Sequence, residues 1–106
     1  MEQESRKARR FAVQLPCTIS NSGEKEEATV LNLSAQGCAM TTEKIPEVST
    51  YLSLRIDPVN GAAPIDIELA GVRWIADYRC GLEFIRISPD SMERLRSFMR
   101  LLESTP

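Results

Sequence analysis

The 106-residue chain contains no histidine. That absence removes the commonest general base and makes Ser-His and Cys-His nucleophile pairs impossible. No GxSxG, Walker loop or GxGxxG takes its place. The carboxylates are scattered through solvent-facing positions, so the sequence reads as that of a protein that is not an enzyme. Cysteine is scarce too: Cys17, Cys38 and Cys80 are odd in number, form no CxxC pair and have no histidine to join them at a metal. Cys17 and Cys80 fall in register with apolar neighbours and read as small core residues in a reducing compartment. No apolar run approaches the ~20 residues of a membrane helix. The first ten residues are nearly all polar, unlike a signal peptide. A cytoplasmic protein without cofactor, metal or membrane insertion is expected.

What is present is ordinary in bulk, 42% apolar and 26% charged, with a length that suits one domain. The distribution of charge is less ordinary. The net charge is −2, yet residues 6–10, Arg-Lys-Ala-Arg-Arg, hold four of the thirteen basic residues. The remainder has nine basic against fifteen acidic residues, a net of −6. A basic cluster on an acidic body suits a compact anionic ligand better than a long nucleic acid. Binding of RNA or single-stranded DNA would also need exposed aromatics on a basic sheet face. Most of the six aromatics stand at core parity, so neither DNA nor RNA is expected as a partner.

Residues 1–10 show no periodicity and are expected to form a flexible basic arm. Residues 11–106 read as a single domain. Phe11, Val13, Leu15, Cys17 and Ile19 alternate without a miss, the period of a half-buried strand. Pro16 faces the other way, which predicts an edge position or a strand end. Residues 20–27 read as a turn, and strands are predicted over 28–34, 38–42 and 51–56. Residues 57–64 are a loop by their Pro, Gly and Asn content. In residues 65–76 the apolar parity changes from odd (Ile65, Ile67, Leu69) to even (Val72, Trp74), with Gly71 at the switch. A bulge or bend there would turn a barrel corner. Tyr78, Cys80, Leu82 and Phe84 alternate in a last strand, joined to its predecessor by a short connection near Ala76 and Asp77. Met92, Leu95, Phe98 or Met99, and Leu102 then recur at helical spacing, and Ser88, Pro89 and Asp90 supply a helix start. The expected fold is all-β: a small six-stranded antiparallel β-barrel with a C-terminal α-helix over about 89–103, which closes one mouth or packs outside.

Two short motifs remain. Arg6 and Arg10 form RxxxR, and Asn32, Ser34 and Gly37 form NxSxxG, about twenty residues later. Arginine offers a planar fork of donors that matches phosphate oxygens and the guanine O6/N7 edge. Four residues of extended chain span about 13 Å, so the two arginines can reach different parts of one ligand. Asn32 and Ser34, two apart, share one side of a strand and present a carboxamide and a hydroxyl. Gly37 can take positive φ and admit close approach of ligand or backbone. The plainer alternative for Asn32 and Ser34 is local hydrogen bonding that shapes a turn.

The two motifs together, with RRFAVQLP leading into the first strand and GVRWIADYRCGLEFIRIS near the end, resemble the PilZ domain family of cyclic di-GMP receptors. The likeness extends over roughly residues 5–102. It implies that Arg6, Arg10, Asn32, Ser34 and Gly37 bind cyclic di-GMP. Lys7 and Arg9 are further candidates for phosphate contacts, with solvated charge as the other reading. Trp74 looks like the tryptophan that lies against a guanine in some members; barrel packing is its other reading. Ser5 stands where many members carry another basic residue, which leaves one ligand or a stacked pair open. The resemblance further implies an arm that folds over the ligand and a changed surface offered to a downstream protein. A PilZ-like protein–protein adaptor that binds no nucleotide is the alternative.

Overall fold

A computed structural model describes residues 9–104 of the chain. β1 (Phe11–Asn21) and β2 (Glu24–Leu33) form a hairpin whose turn is only Ser22 and Gly23. Their φ angles of 53° and 84° are the two positive values that a tight type I′ turn demands. The turn expected over residues 20–27 is therefore too long. Glu24, Lys25, Glu26 and Glu27 are strand residues paired with Asn21 through Thr18. Their polarity marks an exposed extension of the ladder, since pairing is satisfied by backbone groups whatever the side chains.

β3 (Gly37–Thr42), β4 (Tyr51–Ile56), β5 (Ile65–Ala76) and β6 (Arg79–Arg86) complete a closed antiparallel barrel in the order β1-β2-β3-β6-β5-β4. Closure gives β1 two neighbours, so Pro16 does not lie on an edge strand. It lies at the end of a ladder: β1–β4 pairing begins at Cys17, and Pro16 only accepts a hydrogen bond, from the Asp57 N–H at 2.9 Å. Its missing N–H falls where the ladder stops. β5 and β6 meet through a short connection, as predicted, but it consists of Asp77, at φ 57°, and Tyr78. Ala76 is still paired in β5, and Tyr78 is an exposed turn residue and not the start of the last strand.

The interior is filled from all six strands. Val30, Leu33, Met40, Ile56, Ile65, Ile67, Val72 and Cys80 are almost completely buried. The helix α1 (Pro89–Ser104) starts as its sequence requires: the Ser88 Oγ accepts from the Ser91 N–H at 3.2 Å, and the Ser88 carbonyl accepts from Met92 N–H at 2.8 Å. It lies against β5, and its Leu95 and Phe98 join the barrel's own core cluster. All three cysteines are free and buried. Burial first, and then the neighbouring Cys80, pushes the Cys17 thiol up to about 12. Burial alone pushes Cys80 to about 11, and Cys38 is raised by burial as well. Such thiols stay protonated and act as small apolar groups. Among the described residues no group of side chains could hold a metal ion, and no helix is long and apolar enough to cross a membrane.

The ladder between β5 and β6 carries two irregularities. The pairing shifts between Leu69 and Ala70 and again between Val72 and Trp74. The first shift is the predicted parity change, placed just before Gly71. The second opposes Val72 to Leu82 and Trp74 to Gly81, so Arg73 is an extra residue. Val72 points inward, and the extra residue turns Trp74 out, although the two share sequence parity.

Candidate functional site

The β1–β2 register brings the two ends of the motif pair together. Phe11 stands opposite Leu33 and Ala12 opposite Asn32, so Arg10 lies level with the β2–β3 turn. Its guanidinium Nη1 donates to the Asn32 Oδ1 at 2.7 Å, across twenty-two residues of sequence. Asn32 is half-buried on the outer side of β2, because β2 also carries a bulge, between Val30 and Asn32, that keeps Leu33 inside.

Ser34 does not share that outer side. It is 1% exposed, and its Oγ is folded into the turn. The hydroxyl accepts from the N–H groups of Gln36 and Gly37, both at 3.1 Å, and donates to the Gly37 carbonyl at 3.3 Å. The Ser34 N–H also donates to that carbonyl at 2.9 Å, and the Gln36 carbonyl accepts from Phe84 N–H at 2.8 Å. Ser34 thus shapes the turn, and Gln36 ties it to β6. Gly37 does not adopt positive φ; the left-handed glycines are Gly23 and Gly61. It is needed for close approach: a Cβ there would run into the Leu82 carbonyl oxygen.

Next to this turn is a cavity of about 670 Å³ whose lining includes Arg10, Gln36, Arg73, Trp74 and Glu83. The size falls in the range of small-molecule sites, about 300–1,000 Å³. Trp74, the chain's only tryptophan, is 43% exposed and lies on Gly81, its partner across the β5–β6 ladder. Arg73 Nε donates to Glu83 Oε1 at 2.6 Å, and this bond holds the arginine above its usual range. The wall therefore carries two guanidinium groups, one carboxylate and one flat aromatic face. Phosphate, base edge and base face are the chemistry such a wall can meet.

Of the other candidates, Arg9 turns away. Its Nη1 pairs with Glu103 Oε2 at 2.8 Å near the end of α1, and its guanidinium lies 4.8 Å from the Phe11 ring centroid. Arg6 and Lys7 lie outside the described residues. Arg73 and Glu83 carry no motif that would single them out in the sequence. Counting back from the Asp77-Tyr78 turn sets Arg73 opposite Leu82, and only the bulge brings it to Glu83.

Gly81 is the support of the tryptophan face. A Cβ at Gly81 would overlap the indole at Nε1, Cε2 and Cδ1. The obstacle is a surface side chain that can swing away, so Gly81→Ala should cost little stability but displace Trp74. The single indole reports this directly: we expect a shifted emission maximum with a melting temperature close to wild type, and no shift would show that Trp74 does not depend on Gly81.

The family model described as PilZ domain matches residues 4–101. No curated protein matches the chain. Among solved structures, the chain resembles the Bacillus subtilis inhibitor of motility MotI (DgrA), with TM-score 0.79 and 21% identity. The match covers 100% of this chain, which spans only 55% of that protein's length. It also resembles the PilZ domain of Escherichia coli YcgR, determined with cyclic di-GMP, at TM-score 0.76 and 14% identity, over 94% of this chain and 92% of that one. A third likeness is to the PilZ domain of CeSA from a cellulose-synthesizing bacterium, at TM-score 0.63 and 16% identity, covering 90% and 95% of the two chains. At these identities the likeness is one of fold.

Proposed function

The chain belongs to the PilZ domain family, and on that premise we propose that it binds cyclic di-GMP at the cavity beside the β2–β3 turn. The carrying observation is the Arg10–Asn32 hydrogen bond of 2.7 Å at the rim of that cavity. One guanidinium donor is held by Asn32, which aims the rest of the fork along the cavity wall; a guanidinium has five donors in fixed geometry. Arg10 meets a phosphate or a guanine O6/N7 edge. Arg6, four residues earlier, takes another part of the same ligand. The exposed face of Trp74 receives a base; such stacking contributes about 1–3 kcal/mol per base. Ser34 and Gly37 act by holding the turn in shape. The similarly folded PilZ domain of YcgR, which was determined with cyclic di-GMP, supports this choice of ligand.

The bound ligand joins residues before β1 to the rim, and the surface so formed is read by a downstream protein. The function requires no catalysis. Residues 1–10 act as the binding arm and residues 11–106 as the body. Titration calorimetry with cyclic di-GMP tests the reading. Ligand at a hundred times its dissociation constant should stabilise the protein by about 2.7 kcal/mol, a rise in melting temperature on the order of 10 °C or more for a domain of this size. No heat and no shift at millimolar ligand would refute it.

A second reading has its own support. The Asn32 carboxamide oxygen is already taken by Arg10, and the Ser34 hydroxyl is committed within its turn. A rim whose amide and hydroxyl are engaged within the fold suits an adaptor that binds protein and no nucleotide. Partner capture that proceeds equally with and without cyclic di-GMP would favour it.

A further inference from the structure

We propose that Glu83, oriented by Arg73, reads the Watson–Crick edge of a guanine stacked on Trp74 and so selects guanine over other purines. The inference rests on the cyclic di-GMP reading and adds the residue that decides which base is accepted. A carboxylate in the wall of a site for a dianion is otherwise unfavourable, because like charges repel. It is acceptable where the ligand brings donors to it. Guanine alone among the common bases offers two adjacent donors on that edge, N1–H and the 2-amino group. Adenine offers one donor, the 6-amino group, beside an acceptor at N1 that an ionised carboxylate, an acceptor only, cannot pair with.

The placement is right. Gly81 and Glu83 are two residues apart on β6, with the buried Leu82 between them, so both face outward. Two strand residues span about 6.6 Å. A base laid on the indole above Gly81 would therefore lie on the same outer face as the Glu83 side chain and next to it along the strand. Arg73 occupies Glu83 Oε1 at 2.6 Å, and the carboxylate remains 55% exposed, so lone pairs on both oxygens stay available. The bulge that turns Trp74 out is the same one that sets Arg73 beside Glu83. Platform, reader and the group that orients the reader thus come from one irregularity in the ladder.

The test compares ligands within each protein. Cyclic di-GMP, cyclic di-IMP (which lacks the 2-amino group but keeps N1–H) and cyclic di-AMP are titrated into wild type and Glu83→Gln. Wild type should prefer the guanine ligand over the inosine ligand by about tenfold, toward the low end of what a good bidentate base-edge pair discriminates, and should bind the adenine ligand more weakly than the guanine ligand. In Glu83→Gln the guanine-to-inosine ratio should shrink toward one, and cyclic di-AMP binding should rise, because the carboxamide can donate to adenine N1. Ratios are taken within one protein, so partial loss of folded material does not alter them. Unchanged ratios in the variant, or equal wild-type affinity for the guanine and inosine ligands, would overturn the assignment to Glu83 while leaving the receptor reading intact. A wild type that binds none of the three would overturn both.

Discussion

Arg10→Ala should weaken cyclic di-GMP binding ten- to a hundredfold or more and leave the barrel folded. The loss follows from removing a charged donor from the ligand, about 1.5–3 kcal/mol for one charge-assisted hydrogen bond, at about 1.4 kcal/mol per tenfold change in affinity. The fold survives because the Arg10 side chain is exposed and its hydrogen bond is to Asn32 at the rim. Surface changes of this kind usually alter stability by no more than about 0.5 kcal/mol. Arg10→Lys should recover only part of the affinity, since it restores the charge without the fork. Calorimetry of the three proteins at one salt concentration decides the matter; equal affinities for wild type and Arg10→Ala would remove Arg10 from the site. Arg6→Ala should behave alike, as the other arginine of the motif.

Gly37→Ala should unfold the protein far more readily than any rim substitution. The new methyl group would be aimed at the Leu82 carbonyl oxygen, a backbone atom that has no rotamer to escape into. Relief would require β3 and β6 to part where Gly37 pairs with Glu83 and Cys38 with Leu82, beside the 2.8 Å Phe84-to-Gln36 hydrogen bond. Overpacking of this kind costs about 1–3 kcal/mol, and each backbone hydrogen bond lost adds about 1 kcal/mol. A total near 3 kcal/mol is a large part of the roughly 5–15 kcal/mol that holds a domain together. It corresponds to a fall of roughly 10–20 °C in melting temperature. A denaturation midpoint equal to wild type would show that the strands yield here at no cost. The contrast with Gly81 is instructive, because the same added atom meets a movable indole there and should perturb the site and spare the fold.

The extent to which site and fold could be read in advance divides along physical lines. The motif pair assigned Arg10 and Asn32 to one ligand without placing them in contact, since it is the hairpin register that converts a spacing of twenty-two residues into adjacency. It treated Asn32 and Ser34 as one ledge, because two residues apart on a regular strand face one way. Ser34 lies beyond the last residue of β2, where that rule lapses, and its hydroxyl is consumed by the turn. Of the two roles expected for Gly37, positive φ is not used and close approach of backbone is, to Leu82 on a strand distant in sequence.

Apolar periodicity, read together with turn and helix-start residues, pointed to six strands, a terminal helix and a barrel, because burial demands period two in a strand and 3.6 in a helix, and because strands in so short a chain must close to hide their edges. Tertiary structure alone decided which way Trp74 faces and what stands beside it. One extra residue in a ladder reverses every side chain after it, and whether a residue is extra depends on the strand across from it. Trp74 has the parity of the buried Val72 and stands outside, over Gly81, because Arg73 has no partner opposite.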